Sequence, residues 1–294
     1  MKALTVKSFE CSLSQDTRLK VRRVAFGRGS ERTIVLLQDS IDSHLAFREL
    51  PELLSQKTDA ATVLQYDRAG QGDSTGFVLG HRPGNDFPFR ESERLTLLLQ
   101  LLKVNPRHVV LVGYGDGAAI CMAHAATAPV RVGGLVMMSP RVVAEQKLID
   151  AVAAMQARRE SVLAEMKQHG DKAPELLDAF LHLWQDASMT SMADFDLRPL
   201  AKELRCPTLL LHNVDDEFTS EAAQIQPLVL NAPPGVLQVE IMQGLAPGRV
   251  PFLAAPSKSA RRSKRAKEVV SHHVVSTIAR FATMVFSETQ KNHT

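Results

Sequence analysis

The chain has 294 residues, of which 45% are hydrophobic and 23% charged, and its formal net charge is +3. That composition belongs to a globular protein long enough for one large α/β domain with an insertion, and the charge is too small to argue for nucleic-acid binding from the whole-chain balance. No apolar run is long enough to span a membrane, and Met1 to Val6 reads as a strand with no secretory core. Cys11, Cys121 and Cys206 are widely spaced, which suits buried thiols in a reducing compartment better than disulfides or a metal site. An intracellular, cytoplasmic protein is expected, cytoskeletal structures included, with no cofactor and no metal.

Strands are predicted over residues 3 to 13 and 18 to 26, separated by the turn-prone Ser14-Gln15-Asp16. Arg32 to Leu37 reads as a strand buried on both faces, and Gln38 and Asp39 follow it. Thr62 to Tyr66 is another, running into Asp67-Arg68-Ala69-Gly70-Gln71-Gly72-Asp73-Ser74, whose glycines and polar ends fit a tight hydrogen-bonded loop. A nucleotide-binding reading of that loop is weak without a third glycine and a helix directly behind it. A helix is expected from Phe89 to Lys103, broken by Asn105-Pro106.

The stretch Val109 to Ala119, V-V-L-V-G-Y-G-D-G-A-A, organises the rest. Its apolar run ends where Gly113, Gly115 and Gly117 allow a strand to turn sharply into an Ala-rich helix, Gly117 to Thr127. The pattern resembles the nucleophile elbow of the α/β-hydrolase superfamily, small-x-nucleophile-x-small, with Gly115 in the nucleophile slot. The Asp67 to Ser74 loop matches that superfamily's D-x-x-G-x-G-x-S turn at every specified position. A register shifted by one makes Asp116 an aspartate nucleophile of the kind used by haloalkane dehalogenases and epoxide hydrolases, but it puts Tyr114 where a small residue is required. The glycine spacing favours Gly115. His124, within the elbow helix, reads as a packed histidine.

The resemblance implies a mainly parallel sheet with helices on both faces, extending over residues 1–294 as a single domain. It also implies a helical cap at residues 141–204, where Leu148, Val152, Met155, Val162 and Met166 recur at helical spacing up to Gly170 and Leu177, Phe180, Leu181 and Trp184 mark a second helix. Where the superfamily carries His-Gly before its oxyanion loop, this chain has Gln38 and Asp39, and a carboxylate there opposes a developing negative charge. The strand Cys206 to His212 is followed by Asn213-Val214-Asp215-Asp216, which resembles H-G-x-x-D and places Asp216 at the triad acid. Capping of a helix that begins near Thr219 is an equally consistent role for it. Val236 to Met242 reads as the last strand, and Gln243-Gly244-Leu245-Ala246-Pro247 then places Leu245 at the triad histidine; no histidine occurs between Asn213 and Ser271. His272 and His273 belong with the final helix, whose stripe is Val270, Val274, Ile278, Phe281 and Val285.

Nucleophile, base and oxyanion loop are all altered, so the expectation is a catalytically inactive homologue, similar in that respect to the N-myc downstream-regulated proteins, acting as a structural or binding subunit. A rearranged hydrolase using Asp116 or Asp216 with a displaced histidine, and a small-molecule receptor built on the former pocket, are the alternatives. The attachment site is expected in the polybasic run Lys258, Arg261, Arg262, Lys264, Arg265 and Lys267, which contains no acid. A solvated loop is the plainer reading. Its cations suit an acidic partner such as RNA or tubulin, without base reading because no aromatic lies between the charges.

Overall fold

The computed structural model describes residues 3–27, 30–58, 61–76, 86–185, 195–243, 253–254 and 269–291. Leu245 and the polybasic run Lys258 to Lys267 lie outside the described residues.

Eight strands form one sheet: β1 (Leu4–Ser12), β2 (Arg18–Phe26), β3 (Thr33–Leu37), β4 (Thr62–Tyr66), β5 (Val109–Tyr114), β6 (Gly134–Met138), β7 (Thr208–Asn213) and β8 (Leu237–Met242). Their order is β1-β2-β4-β3-β5-β6-β7-β8. β1 pairs antiparallel with β2 and β2 with β4, while every pairing from β4 to β8 is parallel. The central strands are buried at every position, which is why they read as unbroken apolar runs with no alternation. The edge strands β1 and β8 are largely exposed.

Helices cover both faces: α1 (Leu50–Lys57), α2 (Phe87–Leu101), α3 (Asp116–Thr127), α4 (Gln146–Ala157), α5 (Arg159–Glu165), α6 (Ala173–Gln185), α7 (Gln226–Asn231) and α8 (His272–Lys291). Successive strand residues point to opposite faces, so two apolar layers result. Val35, Leu37 and Leu111 pack with side chains of α2, α3, α4 and α6 on one face. Ile34, Leu36, Val110 and Val112 pack with α1 and α8 on the other.

Several boundaries differ from the sequence expectation. α2 begins at Phe87, two residues before the predicted start, because Pro88 sits in the first turn, where a proline lacks no needed donor. The helix expected to run to Gly170 breaks at Arg158, which leaves helical angles and donates its N–H to Met155 O, giving α4 and α5. No regular helix begins at Thr219; Ser220 caps a π-turn over Glu221–Ile225, and α7 follows. Val270 belongs to a short antiparallel strand pair, β9 (Leu253–Ala254) with β10 (Val269–Val270), and not to the α8 stripe. The other stripe residues, Val274, Ile278, Phe281 and Val285, are buried. Cys11, Cys121 and Cys206 are free and buried. Among the described residues no helix is long and apolar enough to cross a membrane.

Candidate functional site

The elbow between β5 and α3 is where strand meets helix at the carboxyl end of the sheet. Gly115 carries φ 56° and ψ −118°, a left-handed conformation that strains any side chain, while Asp116 is already the first residue of α3. A Cβ on Gly117 would lie 2.3 Å from Leu37 O, so the helix approaches β3 more closely than any larger residue allows. The position with the left-handed backbone is therefore Gly115.

What fills the space beside Gly115 is Asp39. A Cβ at Gly115 would meet Asp39 Oδ1 at 2.8 Å and its Cγ at 2.9 Å. Asp39 Oδ1 also accepts the Asp116 N–H at 3.2 Å and the Ser40 N–H at 2.8 Å. The Asp116 amide follows the elbow residue directly, and in a catalytic elbow that is the donor which stabilises the reacting oxygen. Here it is already bound to a carboxylate of the same chain.

Asp39 is held by Arg141, which lies just beyond β6. Its Nη1 donates to Asp39 Oδ1 at 2.5 Å and its Nη2 to Oδ2 at 2.6 Å, a two-point fork that fixes the carboxylate plane. Both side chains are 1% exposed. The guanidinium carbon also lies 4.9 Å from the Phe218 ring centroid and 5.7 Å from that of Phe180, aromatic faces that favour a cation. Burial pushes the Asp39 pKa up, but the charge and hydrogen bonds of Arg141 and the two backbone donors outweigh it. The carboxyl is left below its ordinary value.

Asp116 is the third charge of the cluster and behaves oppositely. Burial raises its pKa and outweighs Arg141, and the neighbouring Asp39 charge adds to the rise. Arg141 Nη1 lies 3.1 Å from Asp116 Oδ1, close enough for attraction but outside hydrogen-bonding geometry. Ser40 Oγ donates to Asp116 Oδ2. Gln71 Nε2 donates to Ser40 O at 2.5 Å, and Gln38 Nε2 to Gln71 Oε1 at 3.0 Å, which ties the loop after β3 to the Asp67 to Ser74 loop. An aspartate nucleophile has to be ionised and open to substrate; Asp116 is 0% exposed and shifted towards its neutral form.

Of the remaining candidates, Asp216 lies near enough to the elbow to act on Tyr114, whose pKa burial raises and the Asp216 charge raises further. Asp216 Oδ1 accepts the N–H groups of Phe218 and Thr219, both at 2.9 Å, so it closes the turn before α7. His273 pairs with Glu240 of β8 and is exposed, and His272 is exposed beside it. His124 is buried against Ser92, whose Oγ lies 3.1 Å from its Nδ1. His169, which the sequence did not single out, joins the helical segment to the core. Its Nδ1 accepts the Gly72 N–H at 2.8 Å and its Nε2 donates to Ile41 O at 3.1 Å, while Lys172 Nζ donates to Gly72 O at 2.6 Å and Ser74 O at 2.9 Å. Arg141 was missed as well. Its signal was indirect: an acid placed straight after a fully buried strand requires a buried cation.

A family profile described as "Alpha/beta hydrolase family" matches residues 34–260. No curated protein matches the sequence. Among solved structures the chain is similar to a membrane phospholipase A, described as a bacterial virulence factor, with a TM-score of 0.67 at 16% identity over 95% of this chain and 86% of that one. It is similar to a proline iminopeptidase of Mycobacterium smegmatis, with a TM-score of 0.65 at 14% identity over 96% of this chain and 99% of that one. It is also similar to 2-hydroxy-6-oxo-6-phenylhexa-2,4-dienoate hydrolase of a Rhodococcus species, with a TM-score of 0.62 at 14% identity over 82% of this chain and 92% of that one. Likeness at these identities extends to the fold.

Removing one member of the buried pair leaves the other uncompensated, so Asp39→Leu and Arg141→Met are each expected to cost about 3–5 kcal/mol in urea unfolding. The double variant Asp39→Leu with Arg141→Met should lie far nearer the parent than the sum of the singles, the measured coupling showing that the two act as one unit. A second expectation concerns pH. Burial holds the pKa of His124, His169 and His212 below the ordinary imidazole value. The unfolded chain then binds more protons, so stability is full above about pH 6.5 and falls as pH drops from there towards the folded values. Melting curves between pH 7.5 and 5 should show that decline, and His169→Gln should shallow it. The Asp39 contribution is lost only below about pH 4, the ordinary carboxylate range.

Proposed function

We propose that this chain, which belongs to the alpha/beta hydrolase family, is a catalytically inactive member that serves as a structural or binding subunit of a larger intracellular assembly. The observation that carries the reading is the place of Asp39. Its carboxylate occupies the volume a nucleophile side chain would need and accepts the backbone N–H that would otherwise stabilise an oxyanion. Gly115 itself has nothing to attack with, and Asp216 Oδ1 accepts two backbone amides. A negative charge fixed at that point opposes the charge that develops in acyl transfer, where one lost donor already costs about a hundredfold or more.

Attachment to the assembly is assigned to Lys258, Arg261, Arg262, Lys264, Arg265 and Lys267, on their charge and their lack of acids and large apolar residues. Arginine forks suit phosphates or paired carboxylates, so the partner is an acidic surface, RNA or an acidic protein such as tubulin.

The catalytic part is tested with a fluorophosphonate probe and a panel of 4-nitrophenyl esters. The protein should remain unlabelled and turn nothing over. Gly115→Ser should stay at background and melt at lower temperature, because the new side chain meets Asp39 at a left-handed position that alone costs about 1–3 kcal/mol. Robust turnover by the unmodified protein, abolished by Asp116→Asn, overturns the reading. For the attachment, replacing Arg261, Arg262, Lys264 and Arg265 by Ser should release the protein from its native assembly at lower salt than the parent. If RNA is the partner, affinity should fall by about 0.7 to 0.9 log units per tenfold salt for each phosphate neutralised. Unaltered retention and salt sensitivity in that variant would rule the segment out.

A further inference from the structure

Beside the filled elbow the molecule keeps a cavity of about 260 Å³. One wall is apolar, made by Phe87 of α2 with Leu176, Phe180 and Leu183 of α6. The other is polar and carries Ser40, Gln71, the carboxylate Glu91 and the arginines Arg68, Arg90 and Arg94. At about 30 Å³ for each water displaced, the space takes roughly nine non-hydrogen atoms. The lining is that of a ligand site, largely apolar with a small set of polar groups at one side.

The charges of that wall are not equivalent. Arg90 Nη2 pairs with Asp86 Oδ1 at 2.9 Å, and Arg94 pairs with Glu91. Arg68 is different. It is 5% exposed, and among the described residues no carboxylate forms an ion pair with it. Its Nε has no acceptor, and its hydrogen bond to Ser40 Oγ is long, at 3.3 Å. A guanidinium has five N–H donors, and burying it with Nε unanswered and only one long bond from Nη2 is costly unless an acceptor arrives. Asp116 reaches it only through Ser40, and the other oxygen of that carboxylate already lies 3.1 Å from Arg141 Nη1. The cavity therefore presents one unbalanced cation at the base of an apolar wall.

We propose that this cavity binds an amphipathic carboxylate intact, with the anionic head on Arg68 and an unbranched or compact apolar tail of about six or seven carbons against Phe87, Phe180 and Leu183. The inference rests on the non-catalytic reading, since Asp39 closes the elbow to the ligand's head and leaves Arg68 as the group that receives it. Carboxylate is favoured over phosphate because one cation is offered, and a monoanion matches it without leaving a second charge buried and unpaired.

Octanoate is the probe, titrated calorimetrically into the full chain at pH 7.5 beside octan-1-ol and octylammonium. Octanoate should bind one to one, and at least tenfold more tightly than either neutral or cationic analogue. Arg68→Gln should weaken octanoate by at least about tenfold, the ordinary worth of hydrogen bonds to a charged group, while leaving octan-1-ol unchanged. Ala179→Trp, which adds bulk to the cavity from the α6 side, should abolish both. Absence of octanoate binding, equal binding of octanoate and octan-1-ol, or full affinity in Arg68→Gln each overturns the proposal. Should Arg68→Gln fail to fold, the octanoate preference and the Ala179→Trp variant decide it. Turnover of 4-nitrophenyl octanoate would instead sink the non-catalytic reading, so the two failures are distinguishable.

Discussion

A carboxylate and a guanidinium, both out of water, hold the carboxyl end of this sheet together. Taking each ion from water costs several kcal/mol, and the attraction between them returns that only when geometry is good and the remaining donors are met. Asp39 and Arg141 meet those terms through a two-point fork, two backbone donors and two aromatic faces. The pair draws three separate segments together: the loop after β3, the start of α3 and the turn after β6. Ser40 and Gln71 carry the same connection outward to the loop after β4.

The helical segment between β6 and β7 is fastened to that centre at two places. Phe180 of α6 lies over Arg141, and His169 and Lys172 bond the backbone of the Asp67 to Ser74 loop. These contacts involve donors and acceptors that would otherwise be buried without partners. The segment's position over the sheet thus follows from polar bookkeeping as much as from its apolar stripes.

Much of this was legible in the residues. Unbroken apolar runs such as Thr33 to Leu37 and Val109 to Val112 gave the buried parallel strands, because a strand covered on both faces has no reason to alternate. The glycine spacing gave the elbow, because each glycine answers a steric demand made within a few residues of itself. Arg141 was not legible, since nothing near Pro140 or Val142 says that its partner lies 102 residues earlier. Long-range polar pairing leaves no local period. The break at Arg158 was hidden for a related reason: Val152, Met155 and Val162 are buried on both sides of it, so the apolar spacing continues where the backbone hydrogen bonds do not. Arg68 stood within a recognised turn and read as part of it, though it lines a cavity that only the folded chain creates.

The left-handed glycine at 115 has a consequence for the order in which changes to this site can accumulate. Any side chain added there collides with Asp39, yet Asp39 cannot leave while Arg141 stays, and Arg141 cannot leave while Asp39 stays. Each first step is uphill, although some combinations are not. The arrangement works as a ratchet: with the carboxylate and its cation settled in the elbow, single substitutions lead away from them only through a less stable chain.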